Sequence, residues 1–398
     1  MNKGGKIPKI NTNLTELNSY SGIMPTLIYR ALFYFFMDKD TVKKVMSEIN
    51  PSSSSKAFSA MLNPKNYSLY EITKESAKKI IPAEKEFKNL EMLFIDGGNA
   101  EIFATPRASL QAVRLYGCVF KGNKRMKGEK YEFYALSVIK ENQSKLNFSV
   151  SLYPAGKDKK IPFEIPFEND TAMTFSADDK VMSVNGNPSP SRAIDAVRRL
   201  FEIKLAKSMA ESLRQNSIVV LDGTLEANHF DEERALESLY AACSKNNISI
   251  CGLSKTSKIL TKDAYSIPEK VSSLLEMHGT EAGRIGYVKI ADSSSSEHQA
   301  SIYFAKMHEK SSYVFRIDAW NNNHMPAGNI ISCLSANSGD LSFPGYPYGL
   351  IHADRFARIS NNEKQYFKTL FMSRAGKEWN GIMKQVSLIS AHSVLDSM

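Results

Sequence analysis

The chain has 398 residues, enough for one large core or two ordinary ones. Its composition is 42% hydrophobic, 23% charged and 10% aromatic, which excludes wholesale disorder and a fibrous repeat. Lys and Arg number 51 against 42 Asp and Glu, a formal charge of +9 that is compatible with a polyanionic partner without establishing one.

Residues 1–90 read as a basic, mostly helical N-terminal extension. They hold 14 Lys and Arg against 8 Asp and Glu, and polar punctuation (PSSSS at 51–55, NP at 63–64) separates short helical patterns. The most apolar stretch, Gly22 to Met37, spans 16 residues and contains Pro25 and Arg30. A membrane-spanning helix needs about 20 apolar residues, and the stretch begins too far in for a signal peptide. A buried or dimer-forming helix is expected there, and no membrane span. The four cysteines (Cys118, Cys243, Cys251, Cys333) are widely spaced with no C-x-x-C. That argues against a disulfide scaffold or a cysteine zinc site and fits a reducing cytoplasm.

From Leu93 onward the order of elements becomes legible. LFIDGG reads as a short strand ending at Asp96 and two glycines. ASLQAVRLYGCVF (108–120) and YEFYALSVI (131–139) are rich in strand formers, and KGNKRMKGEK (121–130) between them is a turn with five basic residues, so an antiparallel hairpin with a basic tip is expected. LNFSVSLY (146–153) is a further strand candidate, and the polar stretch from 155 to about 188 reads as an insertion. Ser189 and Pro190 then start a helix whose Ile194, Val197, Phe201, Leu205, Met209 and Leu213 make one apolar face ending near Asn216. SIVVLDGT (217–224) is a continuous apolar run of the kind found in a doubly buried parallel strand. A helix over 232–244 leads to another such strand, ISICGLSK (248–255). Three antiparallel strands followed by two parallel βα units is the order of an α/β, ribonuclease H-like mixed sheet with flanking helices. Beyond it come a helix capped at Ser266–Glu269, three more strand candidates (GYVKIA, ASIYFAKM, SYVFRIDAW) and closing helices, one capped by Ser360 and Glu363.

Several familiar chemistries are absent. There is no G-x-x-x-x-G-K-[ST], no H-E-x-x-H and no G-x-S-x-G, and the seven histidines are scattered. What remains is carboxylates placed by topology. Asp96 and Asp222 would end adjacent central strands and face each other, as oxygen ligands must to hold divalent cations for phosphodiester hydrolysis. Asp-Gly is also a common turn signal. Glu202 shares a helix face with Ala206 and Ala210, small neighbours that allow close approach to the sheet; Glu211 competes for the same role. Ser254, Lys255, Thr256, Ser257 and Lys258 follow a buried strand and suit either a phosphate backbone or a solvated loop. Arg316 and Asp318 in FRIDAW alternate as a salt bridge would. GYPYGLIHADRFARIS (345–360) groups Tyr346, Tyr348, His352, Asp354, Arg355 and Arg358, aromatic and basic residues that suit bases and phosphates.

FIDGG, LFEIKLA, VVLDGT, GLSKTSK, FRIDAW and GYPYGLIHADR stand in the order seen in the NurA nuclease family, which residues 90 to 380 resemble; the first 90 residues lie outside the resemblance. It implies a NurA-like domain over 91–398 with a ribonuclease H-like core: a metal-dependent phosphodiester hydrolase, 5'-3' exonuclease and single-strand endonuclease, working in DNA end resection and double-strand break repair. It also implies a homodimer docked on a HerA-like hexameric ATPase, with Mn²⁺ or Mg²⁺ as cofactor. By position, Asp96, Glu202 and Asp222 resemble the family's acidic metal ligands and Tyr346 its motif tyrosine. The family pattern places a histidine where Asp354 stands, while His352 lies two residues earlier, about 200° away on a helix. Asp354 is expected to act as a fourth carboxylate ligand, the alternative being an exposed ion pair with Arg358. Lys124, Arg125 and Lys127 at the basic tip, with Ser254, Lys255, Lys258 and Arg355, are the expected DNA contacts. The rival expectation is a non-catalytic DNA-binding or scaffold subunit with the same fold.

Overall fold

The computed structural model describes residues 39–49, 57–82, 90–142, 144–156, 172–277 and 285–389, and the apolar stretch from Gly22 to Met37 lies outside them. Two compact units divide the chain between residues 54 and 55. In the first, helix α1 (Lys39–Ile49) carries Val42, Val45 and Met46 at helical spacing, all exposed.

The second unit opens with β1 (Tyr67–Leu69) and β2 (Lys78–Lys79). Long strands follow: β3 (Glu91–Ala104), β4 (Ala108–Lys121), β5 (Lys124–Asn142), β6 (Lys145–Pro154) and β7 (Ala172–Ser176). After the small ribbon of β8 (Ser183–Val184) and β9 (Asn187–Pro188) come α2 (Pro190–Ala210), β10 (Ile218–Asp222), α3 (Phe230–Lys245) and β11 (Ser249–Ser254). The remainder is α4 (Ile267–Met277), β12 (Gly286–Ser293), β13 (Ala300–Lys306), β14 (Phe315–Trp320), α5 (Ala327–Ala336), α6 (Tyr348–Ala357), α7 (Asn361–Ala375) and α8 (Lys377–Ile389).

Twelve strands form one mixed sheet in the order β1-β12-β13-β14-β11-β10-β3-β4-β5-β6-β7, with β2 also beside β12. β10 runs parallel to both neighbours, β3 and β11, and the other pairings are antiparallel. The fold is thus mixed α/β, a large mixed sheet with flanking helices. Alternation along β10 explains its unbroken apolar run. Val219 and Leu221 join a core with α2 and α3, while Ile218 and Val220 join one with α5 and α6 on the opposite face. The apolar face read on α2 is buried from Ile194 to Met209; the helix stops at Ala210 rather than Asn216, which takes a left-handed φ of 63°. Ser360 and Glu363 form the expected capping box on α7, and all four cysteines are buried thiols. No helix among the described residues is long and apolar enough to cross a membrane.

Four expectations are corrected. The first is the mostly helical reading of residues 1–90: 57–82 contain no α-helix, and β1 and β2 pair with β12 in the unit that begins at residue 55. The second is the basic tip. Only Gly122 and Asn123 turn, Gly122 at φ 57°, while Lys124, Arg125 and Lys127 lie on β5 in register with β4. The third is the polar stretch read as an insertion, whose described part extends the sheet through β7. The fourth is that β3 does not end at Asp96.

β3 continues because β4 pairs along its whole length, through Gly97–Leu115 and Gly98–Arg114. The two glycines serve close approach instead of a turn. A Cβ on Gly97 would stand 2.4 Å from Glu202 Oε1 on α2, and one on Gly98 would stand 2.4 Å from the backbone oxygen of Ala357 on α6. A backbone oxygen at a helix end cannot swing aside as a side chain can. Gly98→Ala is therefore expected to destabilise the fold by about 1–3 kcal/mol, the usual cost of overpacking. Thermal unfolding checks this; a melting temperature equal to that of the native protein would contradict the contact.

Candidate metal centre

β10 is shorter than both of its partners, and its pairing with β3 stops at Leu221 opposite Ile95. Asp96 and Asp222 occupy the next position on each strand. Both point to the face of Phe94 and Val220, two residues earlier in each case. β11 reaches Ser254, which is buried, and Lys255 follows directly. From above that face α6 supplies Asp354. One carboxylate oxygen each from Asp96, Asp222 and Asp354 lie within 4.8 Å of one another.

The Lys255 ammonium sits among them, donating to Asp222 Oδ2 at 2.8 Å and Asp354 Oδ1 at 3.1 Å, with its charge 5.4 Å from the centre of the Tyr346 ring. Burial alone would lower the Lys255 ammonium's pKa; Asp222 and Asp354 raise it. Tyr346 is buried and donates its hydroxyl to Asp222 Oδ1 at 3.4 Å; burial, then Asp222, hold that hydroxyl well above the ordinary tyrosine range. Arg358 donates to Asp354 Oδ2 at 2.5 Å. Asp354 thus stands in the carboxylate cluster and pairs with Arg358 at the same time. Burial, reinforced by Asp222 and Glu202 and opposed by Lys255, pushes the Asp96 carboxyl up to about 8. The cleft measures about 370 Å³ and is lined by Asp96, Asp222, Lys255, Asp354, Arg198 and Arg358 among others.

Glu202 lies beside Gly97 and outside the trio. Its buried carboxylate accepts from Arg198, and from Arg199 at 3.3 Å; burial raises its pKa and the two arginines draw it back. Arg198 also donates to the Gly97 oxygen at 3.1 Å. Arg199 reaches the Asp222 oxygen at 3.1 Å, the Thr224 oxygen at 2.6 Å and Glu232 at 3.2 Å. These arginines escaped the sequence reading, although RRLFE sets both one helical turn before Glu202, where ion pairs form. Arg316 and Asp318 do bridge, at 2.7 and 2.9 Å.

The other expected contacts are dispersed. Glu211 is the exposed C-cap of α2, nine residues past Glu202. Lys258 and Arg355 are exposed. His352 and Tyr348 belong to an aromatic stripe on α6, with His352 stacked on Phe356 at 4.5 Å and facing Tyr116 and Phe120. Lys124 pairs with Lys121, whose partner on β3 is Glu91. Lys124, Arg125 and Lys127 therefore stand toward the start of β3, at the opposite end of the parallel strands from Asp222.

Three carboxylates suit a hard divalent cation, whose ligand oxygens at 2.0–2.6 Å stand no more than about 5 Å apart. Carboxylates held this close repel, and the raised Asp96 pKa records that repulsion together with burial.

A family model described as the NurA domain matches residues 90–359. Among solved structures the chain is similar to the NurA nuclease from Sulfolobus solfataricus, at 14% identity over 89% of this chain and 98% of that one, with a TM-score of 0.47. It is also similar to endonuclease V from Ciona intestinalis in complex with inosine-containing DNA, at 12% identity over 73% of this chain and 92% of that one, TM-score 0.35. The catalytic domain of human endonuclease V matches at 11% identity over 74% and 91%, TM-score 0.36. No curated protein matches the sequence.

The Asp96 pKa carries a pH signature. Folded, the carboxyl keeps its proton up to about 8; unfolded, it releases it near about 3.9. The native state therefore binds more protons between those values. The stability from this group is full below the unfolded value and lost as pH rises through the folded one. In chelator, melting temperature is expected to fall between about pH 4 and about pH 8, and Mn²⁺ to restore it most at the upper end. Asp96→Asn should flatten the slope. An equal slope in native protein and variant would exclude Asp96 as its source.

Proposed function

The chain belongs to the NurA family, and from that premise we propose that it is a divalent-metal-dependent deoxyribonuclease. One observation carries the proposal: Asp96, Asp222 and Asp354 within 4.8 Å of one another, where the parallel strand pair ends and α6 closes over it. These three residues would hold Mn²⁺ or Mg²⁺, with Glu202 beside them to receive a second ion; such cations polarise a phosphoryl oxygen and lower the pKa of bound water. Lys255 stands where it neutralises charge on a scissile phosphate. Tyr346 fixes Asp222, and Arg198, reaching both Gly97 and Glu202, holds α2 to the strand that carries Asp96.

The finer reading follows the family. It comprises a NurA-like domain over 91–398 with a ribonuclease H-like core, a reading supported by the β3-β4-β5 antiparallel set and the parallel β10 and β11. Its activities are 5'-3' exonuclease and single-strand endonuclease cleavage in DNA end resection and double-strand break repair. The partners are a second copy of the chain and a HerA-like hexameric ATPase, in the cytoplasm. Ser254, Lys258, Arg355 and the β5 residues Lys124, Arg125 and Lys127 would hold DNA phosphates. A non-catalytic DNA-binding subunit is the second reading, favoured by the bonds that Lys255 and Arg358 already make to the cluster.

Cleavage of labelled single- and double-stranded DNA in Mn²⁺, with and without EDTA, separates the two. Asp222→Asn and Asp354→Ala are expected to lower the rate at least a hundredfold while the protein stays folded and binds DNA; His352→Ala, on the aromatic stripe, should change it little. Native protein that binds DNA without cutting it in Mn²⁺ would favour the second reading. Wild-type cleavage by Asp222→Asn would place the reaction elsewhere.

A further inference from the structure

A second cavity, of about 570 Å³, lies on the same face of the sheet as the carboxylates and is lined by Tyr70, Tyr287, Tyr303, Lys78, Lys289 and the start of α5. Tyr287 and Tyr303 both pack against the core shared with α5 and α6, the side to which Asp96 and Asp222 point. Strand register fixes how far apart the two places are. Asp222 pairs with Leu253, Leu253 with Ile317, Ile317 with Tyr303 and Tyr303 with Lys289. The cleft thus sits on the same row of the sheet as the metal centre. At about 4.8 Å per strand, Tyr303 is about 14 Å and Lys289 about 19 Å from Asp222.

The lining suits a base joined to a phosphate. Tyr287 and Tyr303 stand 6.1 Å apart at 62°. The Lys289 ammonium lies 5.1 Å from the Tyr70 ring centre and 5.9 Å from that of Tyr303. Asp292 fixes both ends of this group, accepting from Lys289 at 2.8 Å and from the Tyr70 hydroxyl at 2.5 Å. The rings are therefore held in place, with the Lys289 ammonium over those of Tyr70 and Tyr303 and the Tyr70 ring itself exposed. The start of α5 approaches closely: a Cβ on Gly328 would stand 2.7 Å from the Tyr287 hydroxyl. No side chain caps that helix and no acid occupies its first turn, leaving the positive end of its dipole toward the cavity. Among the lining residues Glu71 is the single acid, against Lys78 and Lys289, the latter paired with Asp292 behind the cleft.

We propose that this tyrosine–lysine cleft binds a nucleotide of the single strand whose scissile phosphate lies at the carboxylates, its base on the tyrosine faces and its phosphate toward Lys78, Lys289 and α5. The assignment rests on the deoxyribonuclease reading for the identity of the strand, while the cleft's own chemistry selects the aromatic base and the phosphate. Stacking on tyrosine contributes affinity with little sequence preference, because every base has a π-face. The cleft would set a minimum length for tight binding, since only a strand long enough to cover both places engages it.

Fluorescence anisotropy with labelled oligothymidylates of increasing length, in EDTA to suppress cleavage, tests this. Native protein is expected to show a step in affinity once the strand reaches the cleft. Tyr70→Ala, which removes an exposed ring, and Tyr303→Leu, which keeps bulk but loses the π-face, should each lower the affinity of long strands about tenfold. Both should leave the shortest strands unaffected. Tyr70→Phe keeps the ring and should keep the step. Equal losses at every length, or no step in native protein, would overturn the proposal. A parallel titration with thymidine monophosphate covers the other source of the same chemistry: variants that lose the mononucleotide but keep the step would overturn assignment to the strand. A length step that persists in a protein inactive with Mn²⁺ would support the cleft and count only against the deoxyribonuclease reading.

Discussion

Three carboxylates held within 4.8 Å of one another repel, and much of this fold can be understood as the rigid structure that keeps them together. Two come from adjacent parallel strands, where hydrogen bonding fixes backbone separation at about 4.8 Å. The third comes from a helix pressed against those strands. None sits on a long loop that could relax by moving away. Lys255 relieves part of the repulsion with an ammonium that bonds to two of the three. What remains unrelieved is visible at Asp96, the most buried of the trio, whose carboxyl is pushed up to about 8.

Holding α2 and α6 near the strands requires bare backbone beneath them, and Gly97 and Gly98 provide it. The helices are then tied by buried arginines. Arg198 and Arg199 join Glu202 on α2 to the backbone of β3 and to the turn after β10. On the other side Arg114 of β4 donates to the Arg358 oxygen at the end of α6 at 2.6 Å, to Glu132 at 2.7 Å and to Glu363 of α7 at 2.7 Å. Glu363 answers with a carboxyl pulled down to about 2, by Arg114 first and then by the Ser360 backbone. Each guanidinium spreads its donors over several acceptors, which locks geometry where a single bond would allow rotation.

The strands around Asp222 were legible because burial on both faces leaves an unbroken apolar run, and α2 was legible from the spacing of Ile194 through Met209. Those two elements and FIDGG placed Asp96 and Asp222 correctly side by side. The errors have two causes: polar or glycine-rich segments read as turns, and some strands find their partners far away in sequence. Gly97 and Gly98 look like a strand end until α2 and α6 are seen to need the space. Lys124, Arg125 and Lys127 look like a loop until β4 is seen to pair with them residue by residue. The short strands β1 and β2 carry almost no local signal, because their pairing with β12 is more than two hundred residues distant. Glu202 was placed on the correct helix face, but the arginines that engage it lie on the same surface and were not weighed.

Charge offers a physical account of the aspartate at 354, where the family pattern has a histidine. Asp96, Asp222 and Asp354 would carry three negative charges when ionised, and Lys255 and Arg358 return two positive ones at 2.5–3.1 Å. With all three ionised the assembly carries one net negative charge; while Asp96 keeps its proton, up to about pH 8, it is neutral. With a neutral imidazole at 354 the same two cations would cancel the remaining carboxylates, removing the net attraction for a divalent ion. An aspartate there lets the cluster become anionic in the presence of Lys255 and Arg358 once Asp96 gives up its proton. It also makes the three-residue set uniformly hard oxygen donors, which suit a hard divalent cation. The departure at 354 and the two cations beside it are therefore parts of one electrostatic arrangement, in which each makes the others tolerable in a half-buried cleft.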